Sequence, residues 1–158
     1  MKLSLLSLAV FMFCSCNAQK PAANSAPDEP VIKTASGMVR GVKEGDVDIF
    51  RGIPYAAPPV GEFRWRPPQP VASWEGVRDA KEFGPSCAQA GFGGGPGAIS
   101  QGSSEDCLYL NVWRPAGSRQ GAKLPVMVWI HGGAFVGGSG NTSGNGFATK
   151  GVILVSIN

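Results

Sequence analysis

The hydrophobic positions of this chain fall in short blocks separated by glycine- and proline-rich segments, and beyond the N-terminus no stretch sustains a long helical period. Val31–Thr34, Met38–Val42 and Val47–Arg51 read as short strands, and Lys43-Glu44-Gly45-Asp46 turns the last two into an antiparallel hairpin at the edge of a sheet. Leu108–Arg114 alternates apolar and polar residues before Pro115 and predicts a strand leading into a surface turn over 116–123. Leu124–Ile130 is apolar on both faces, which predicts a buried central strand, and Gly151–Asn158 predicts another. One helical turn is expected within Gly144–Lys150. The proline-rich block from Ile53 to Pro70 has too few N–H groups for a sheet interior. Its expected task, with Trp74 just beyond it, is packing: Phe63, Trp65 and Trp74 lay their rings over the sheet edge.

The N-terminus follows a different pattern. Lys2 gives a positive start and Leu3–Phe13 an apolar core too short to span a bilayer as a permanent helix, the signature of an export signal. Residues 1–16 are therefore expected to be a signal peptide, 17–30 a flexible tether rich in Ala and Pro, and 31–158 a folded domain. Ser15-Cys16 resembles the end of a bacterial lipobox, which makes Cys16 a lipidation candidate and the protein a periplasmic or outer-membrane lipoprotein. Cys16-Asn17-Ala18 also offers the small residues of an ordinary cleavage site, which would release a soluble chain starting at Gln19. Lipidation is the preferred reading.

Chemistry concentrates where the Leu124–Ile130 run ends. His131-Gly132-Gly133-Ala134-Phe135 joins a strand to a glycine turn and carries the only histidine of the chain. Glycines at such a place let backbone N–H groups come close to an anion. In acyl transfer that anion is the tetrahedral oxyanion, for which each fixed donor is worth about 2.7–4 kcal/mol. Composition narrows the alternatives. The formal charge of +3 comes from dispersed Lys and Arg with no basic run, so nucleic acid is not an expected partner. A serine hydrolase also needs a nucleophile in Gly-x-Ser-x-Gly and a histidine base, yet no serine here has glycine both two residues before it and two residues after.

Three blocks in order carry a resemblance. Phe50-Arg51-Gly52-Ile53-Pro54-Tyr55-Ala56-Ala57-Pro58-Pro59-Val60-Gly61 followed by Arg64-Trp65-Arg66-Pro67-Pro68, then Ser104-Glu105-Asp106-Cys107-Leu108-Tyr109-Leu110-Asn111-Val112, then His131-Gly132-Gly133-Ala134-Phe135, resemble the signatures of the type B carboxylesterases, the α/β-hydrolases that include the cholinesterases. The resemblance implies an α/β fold: the N-terminal part of an α/β-hydrolase, an antiparallel edge hairpin plus central sheet strands, truncated before the nucleophile elbow. It implies a carboxylic ester hydrolase acting on a small-molecule ester with no cofactor, and membrane contact only through a lipid anchor. A non-catalytic binding or adhesion relative is the alternative, and the presence or replacement of the nucleophile in a continuing reading frame separates the two.

The resemblance also assigns residues. Gly133 and Ala134 give the oxyanion-hole N–H groups, with Ala134 standing where relatives often have glycine; Gly132 serves the turn and His131 orients it by hydrogen bonding. Arg64 pairs with Glu105. Cys87 and Cys107 are the two cysteines left once Cys14 and Cys16 are given to the signal region, and in an exported domain a disulfide is their default, as in the family. Two thiols and one histidine make too few ligands for a metal site. In cholinesterases the loop inside this bridge carries a tryptophan that binds quaternary ammonium. Here Gly91–Gly97 has Phe92 instead, which argues against choline esters. Phe135 is expected either to line an acyl pocket or to pack.

Overall fold

The computed structural model describes residues 29–90, 102–119 and 121–158. The expected signal and the part of the expected tether up to residue 28, with Cys14 and Cys16, and the glycine loop with Phe92 lie outside the described residues.

The chain opens with β1 (Val31–Lys33) and β2 (Met38–Arg40), which pair antiparallel, and β5 (Val77–Asp79) adds to β2 in parallel to complete a three-stranded sheet. A second sheet starts at β3 (Val42–Glu44), which turns through Gly45-Asp46 into β4 (Val47–Pro54). The hairpin is therefore tighter than the sequence suggested, with Glu44 opposite Val47 and a two-residue turn in which Gly45 takes φ 59°. The expected strand Met38–Val42 is split at Gly41. A side chain there would lie 2.2 Å from the Ile49 carbonyl oxygen, so the backbone crosses close over β4, and the Gly41 N–H leaves the ladder to bond the Pro30 carbonyl.

β4 runs three residues past its expected end because a bulge resets it. The register shifts between Phe50 and Ile53, and Gly52, at φ 69°, turns its N–H to the Asn111 side chain. β8 (Tyr109–Pro115) pairs antiparallel with β4 and with β10 (Ile153–Ile157), and β9 (Val126–Ile130) adds to β10 in parallel, giving the order β3-β4-β8-β10-β9. The short helix α1 (Asn145–Ala148) crosses between β9 and β10 and packs on β8 and β10.

Alternation along β4 divides the core. Val47 and Ile49 meet Trp113, Ala148 and Leu154 on one face, while Phe50 meets Val39, Ile53 and Ala80 on the other. Asp48 is buried on the Phe50 side and accepts two hydrogen bonds from Arg114, at 2.9 and 3.1 Å, whose guanidinium lies over the Phe50 ring.

Two expectations change. Leu124–Ile130 forms a strand, but at the sheet edge rather than its centre, and all five residues of β9 are exposed, because among the described residues nothing covers either face. Gly151–Asn158 supplies an interior strand, β10, between β8 and β9. Of the three aromatic rings assigned to packing, only Trp74 packs: it sits against the Val39 cluster and its indole N–H donates to the Met38 carbonyl, whereas Phe63 and Trp65 are exposed. Among the described residues no helix is long and apolar enough to cross a membrane.

Candidate oxyanion turn

β9 ends at Ile130 and the chain enters the turn His131–Gly138. Its closure is local: the Gly133 carbonyl accepts from the N–H groups of Val136 (2.9 Å) and Gly137 (3.3 Å). A Cβ on Gly133, at φ 136°, would lie 1.5 Å from the Gly137 carbonyl oxygen, so this position admits glycine alone. Ala134 and Phe135 follow at φ 53° and 61°, two successive non-glycine residues in the left-handed region. Each costs about 1–3 kcal/mol and persists only where the surroundings over-determine it. Phe135 does not pack: this backbone carries its ring fully into solvent, at the rim of the cavity that the turn lines.

The tight turn leaves donors over. Among the described residues the N–H groups of Gly133 and Ala134 have no acceptor, and both residues line a cavity of about 470 Å³ whose walls are 87–89 and 131–138. His131 uses Nδ1 on the Gly132 carbonyl at 2.9 Å, and a Cβ on Gly138 would meet the same ring nitrogen at 2.4 Å, so the imidazole braces the turn.

The turn is held at its far end by side chains that sequence reasoning passed over. Gln89 bonds the peptide groups of Gly138 from the opposite wall. The Gly140 carbonyl accepts from Ser156 Oγ (2.6 Å) and Asn111 Nδ2 (3.2 Å), and the Gly140 N–H donates to Asn158 Oδ1 (2.7 Å). Asn158 also donates to the Pro85 and Cys107 carbonyls. The available signal was a polar residue inside a strand, Asn111 in β8 and Ser156 in β10, since a buried polar side chain must find partners.

The wall carrying Gln89 is fixed by a covalent bridge. β6 (Ser86–Cys87) pairs in parallel with β7 (Ser103–Ser104), and Cys87 is disulfide-bonded to Cys107 with Cα atoms 4.9 Å apart. Just before Cys107, Glu105 accepts from Arg64 Nε at 2.7 Å and from Nη2 at 2.5 Å, joining the proline-rich block to the bridge. That double bond holds the Glu105 carboxyl below its ordinary range and raises Arg64. Burial, with a hydrogen bond to Asp106, pushes the Tyr109 phenol up, and burial does the same to Tyr55. Among the described residues no three His, Cys, Asp or Glu side chains gather as a metal site.

Residues 28–158 match the model of the carboxylesterase family. The chain belongs to that family. Among curated relatives this carboxylesterase-family chain is 48% identical over 145 residues to the fumonisin B1 esterase of Sphingopyxis macrogoltabida, covering 87% of this chain and 26% of that one. It is 47% identical over 116 residues to the phenmedipham hydrolase of Pseudarthrobacter oxydans, covering 71% and 23%. A crystal structure of a Geobacillus stearothermophilus carboxylesterase superposes with a TM-score of 0.71 at 46% identity, covering 81% of this chain and 26% of that one. The mixed sheet is thus part of an α/β-hydrolase fold, and the chain spans about a quarter of the length of these relatives.

Proposed function

We propose that this chain provides the oxyanion-holding side of a serine carboxylic ester hydrolase, with the N–H groups of Gly133 and Ala134 as donors. The observation that carries this reading is a strained turn on a cavity wall in which the N–H groups of Gly133 and Ala134 have no acceptor among the described residues. When a serine oxygen attacks an ester carbonyl, the carbonyl oxygen gains a full negative charge. Donors already fixed in place stabilise that charge without reorganising. The methyl of Ala134 leaves its N–H available. His131, with Nδ1 on the Gly132 carbonyl, is read as the brace of the turn, and the general base is assigned elsewhere. The substrate class is a small-molecule carboxylic ester, by likeness to the esterase relatives. The domain starts near Val31, and the preceding residues are read from sequence alone as an export signal with Cys16 as lipid acceptor.

The attacking serine and its base lie outside these 158 residues, which hold no Gly-x-Ser-x-Gly. The test is a graft in which residues 31–158 replace the matching quarter of the Geobacillus carboxylesterase. The graft is expected to hydrolyse p-nitrophenyl acetate, while the 158-residue chain alone stays at the buffer rate. Gly133→Ala in the graft, which forces the turn open, is expected to lower kcat by about 10²-fold or more. Undiminished turnover by a folded Gly133→Ala graft would sink the reading.

A further inference from the structure

The Gly133–Ala134 arch keeps an unfavourable backbone, and something outside it must hold that conformation. Its own hydrogen bonds close the turn but do not fix it against the rest of the molecule. The external hold at Gly138 is Gln89. Its Nε2 donates to the carbonyls of Gly138 and Cys87, both at 2.9 Å, and its Oε1 accepts from the Gly138 N–H at 2.6 Å. The carboxamide thereby uses both amide hydrogens and copies the two-way exchange of a strand pairing on one residue. Bare backbone is required for this fit: a Cβ on Gly137 would lie 2.5 Å from Gln89 Oε1. The clamp has a stiff base, because Gln89 follows two residues after the bridged Cys87. With Gly138 held by Gln89 and Gly140 held by Asn111, Ser156 and Asn158, the segment is anchored at its far end and only the arch between stands free.

We propose that Gln89 is a positioning residue of the oxyanion turn, its carboxamide clamping Gly138 so that the N–H groups of Gly133 and Ala134 stay unpaired at the cavity wall. The proposal rests on the oxyanion reading for its catalytic consequence. Its structural part stands without that reading.

Two variants of nearly equal size separate clamping from space-filling. Gln89→Met removes every hydrogen bond, and Gln89→Glu keeps the acceptor for the Gly138 N–H but sets oxygen against the Gly138 and Cys87 carbonyls. In the 158-residue chain, amide exchange followed by mass spectrometry is expected to quicken over 131–140 in both variants, with β4 and β8 unchanged. In the graft, both variants are expected to lower kcat about tenfold or more while KM moves by less than about twofold, the split produced by losing an interaction made in the transition state. If Met protects 131–140 as well as Gln does, Gln89 merely fills space and the proposal is overturned. If exchange quickens over 131–140 but kcat holds in both variants, the catalytic part is overturned. Where a variant loosens β4 and β8 together with the turn, the other variant decides by the same comparison. An inactive graft that retains Gln89 refutes the oxyanion reading, and the exchange result still decides the clamp.

Discussion

β9 and β10 lie side by side in one sheet, in parallel register and with nearly the same apolar character, yet their surroundings are opposite. Leu154 of β10 is 2% exposed and its register partner Met127 of β9 is 44% exposed. β10 has β8 on its other side and packs with Trp113, Ile49 and α1, whereas β9 has an unpaired edge and two uncovered faces among the described residues. Hydrophobicity along a strand predicts the strand; its burial depends on cover supplied from elsewhere in the molecule. An exposed apolar edge of this kind is a surface that associates. The sharpest way to break the comparison is to truncate both partners. Leu154→Ala is expected to lower unfolding free energy by about 2–5 kcal/mol, and Met127→Ala by less than about 1 kcal/mol, measured by urea unfolding. Equal losses would mean that β9 is covered in solution.

A second contrast sets this trunk against the wall that carries Gln89. The trunk is held by packing, as where Trp113 lies 6.3 Å from the Phe83 ring and against the bare backbone of Gly144. The wall is two short strands and a covalent bond across a separation of 20 residues. Replacing Cys87 and Cys107 together by serine is expected to cost about 3 kcal/mol, chiefly by freeing the unfolded chain. Amide exchange should then quicken first over 86–89 and 131–140, ahead of β4 and β8. Loosening that begins in the trunk would show that the bridge supports the core and not the turn.

The same contrast explains what the residues disclosed in advance. The glycine turn was legible as a compact run of residue types and the bridge from the cysteines left to an exported domain, whereas the Arg64–Glu105 pair, 41 residues apart, was readable only through the family resemblance. The edge position of β9 was not, since an apolar run carries no record of what covers it. The split at Gly41 stayed hidden because a close backbone crossing is a property of two distant segments. Gln89 left no trace for a similar reason: its partner Gly138 lies 49 residues away, and a side chain bonding a backbone imposes no periodicity. Trp65 misled because an aromatic ring in a proline-rich block resembles a packing residue, yet the backbone at φ 60° leaves it outside.

The smallest effect comes from comparing the two ion pairs that the carboxylates of these regions make. Asp48 with Arg114 belongs to the trunk, and its carboxylate is almost wholly buried. Arg64 with Glu105 links surface segments, and both side chains are about half exposed. Water and salt screen such a pair, so its contribution is slight. Its sign is nonetheless fixed. The folded Glu105 carboxyl titrates below its unfolded range, first because of the hydrogen bond from Arg64. The stabilisation is therefore present above the unfolded glutamate range and is lost as pH falls through the lower, folded value. The chain with Glu105→Gln is expected to melt slightly below the unaltered chain at neutral pH. That gap should narrow in high salt and close on acidification below the usual glutamate range, in thermal melts read at matched pH. A gap that persists there would mean that the charge on Glu105 contributes nothing and that the neutral hydrogen bond alone ties the proline-rich block to the bridge.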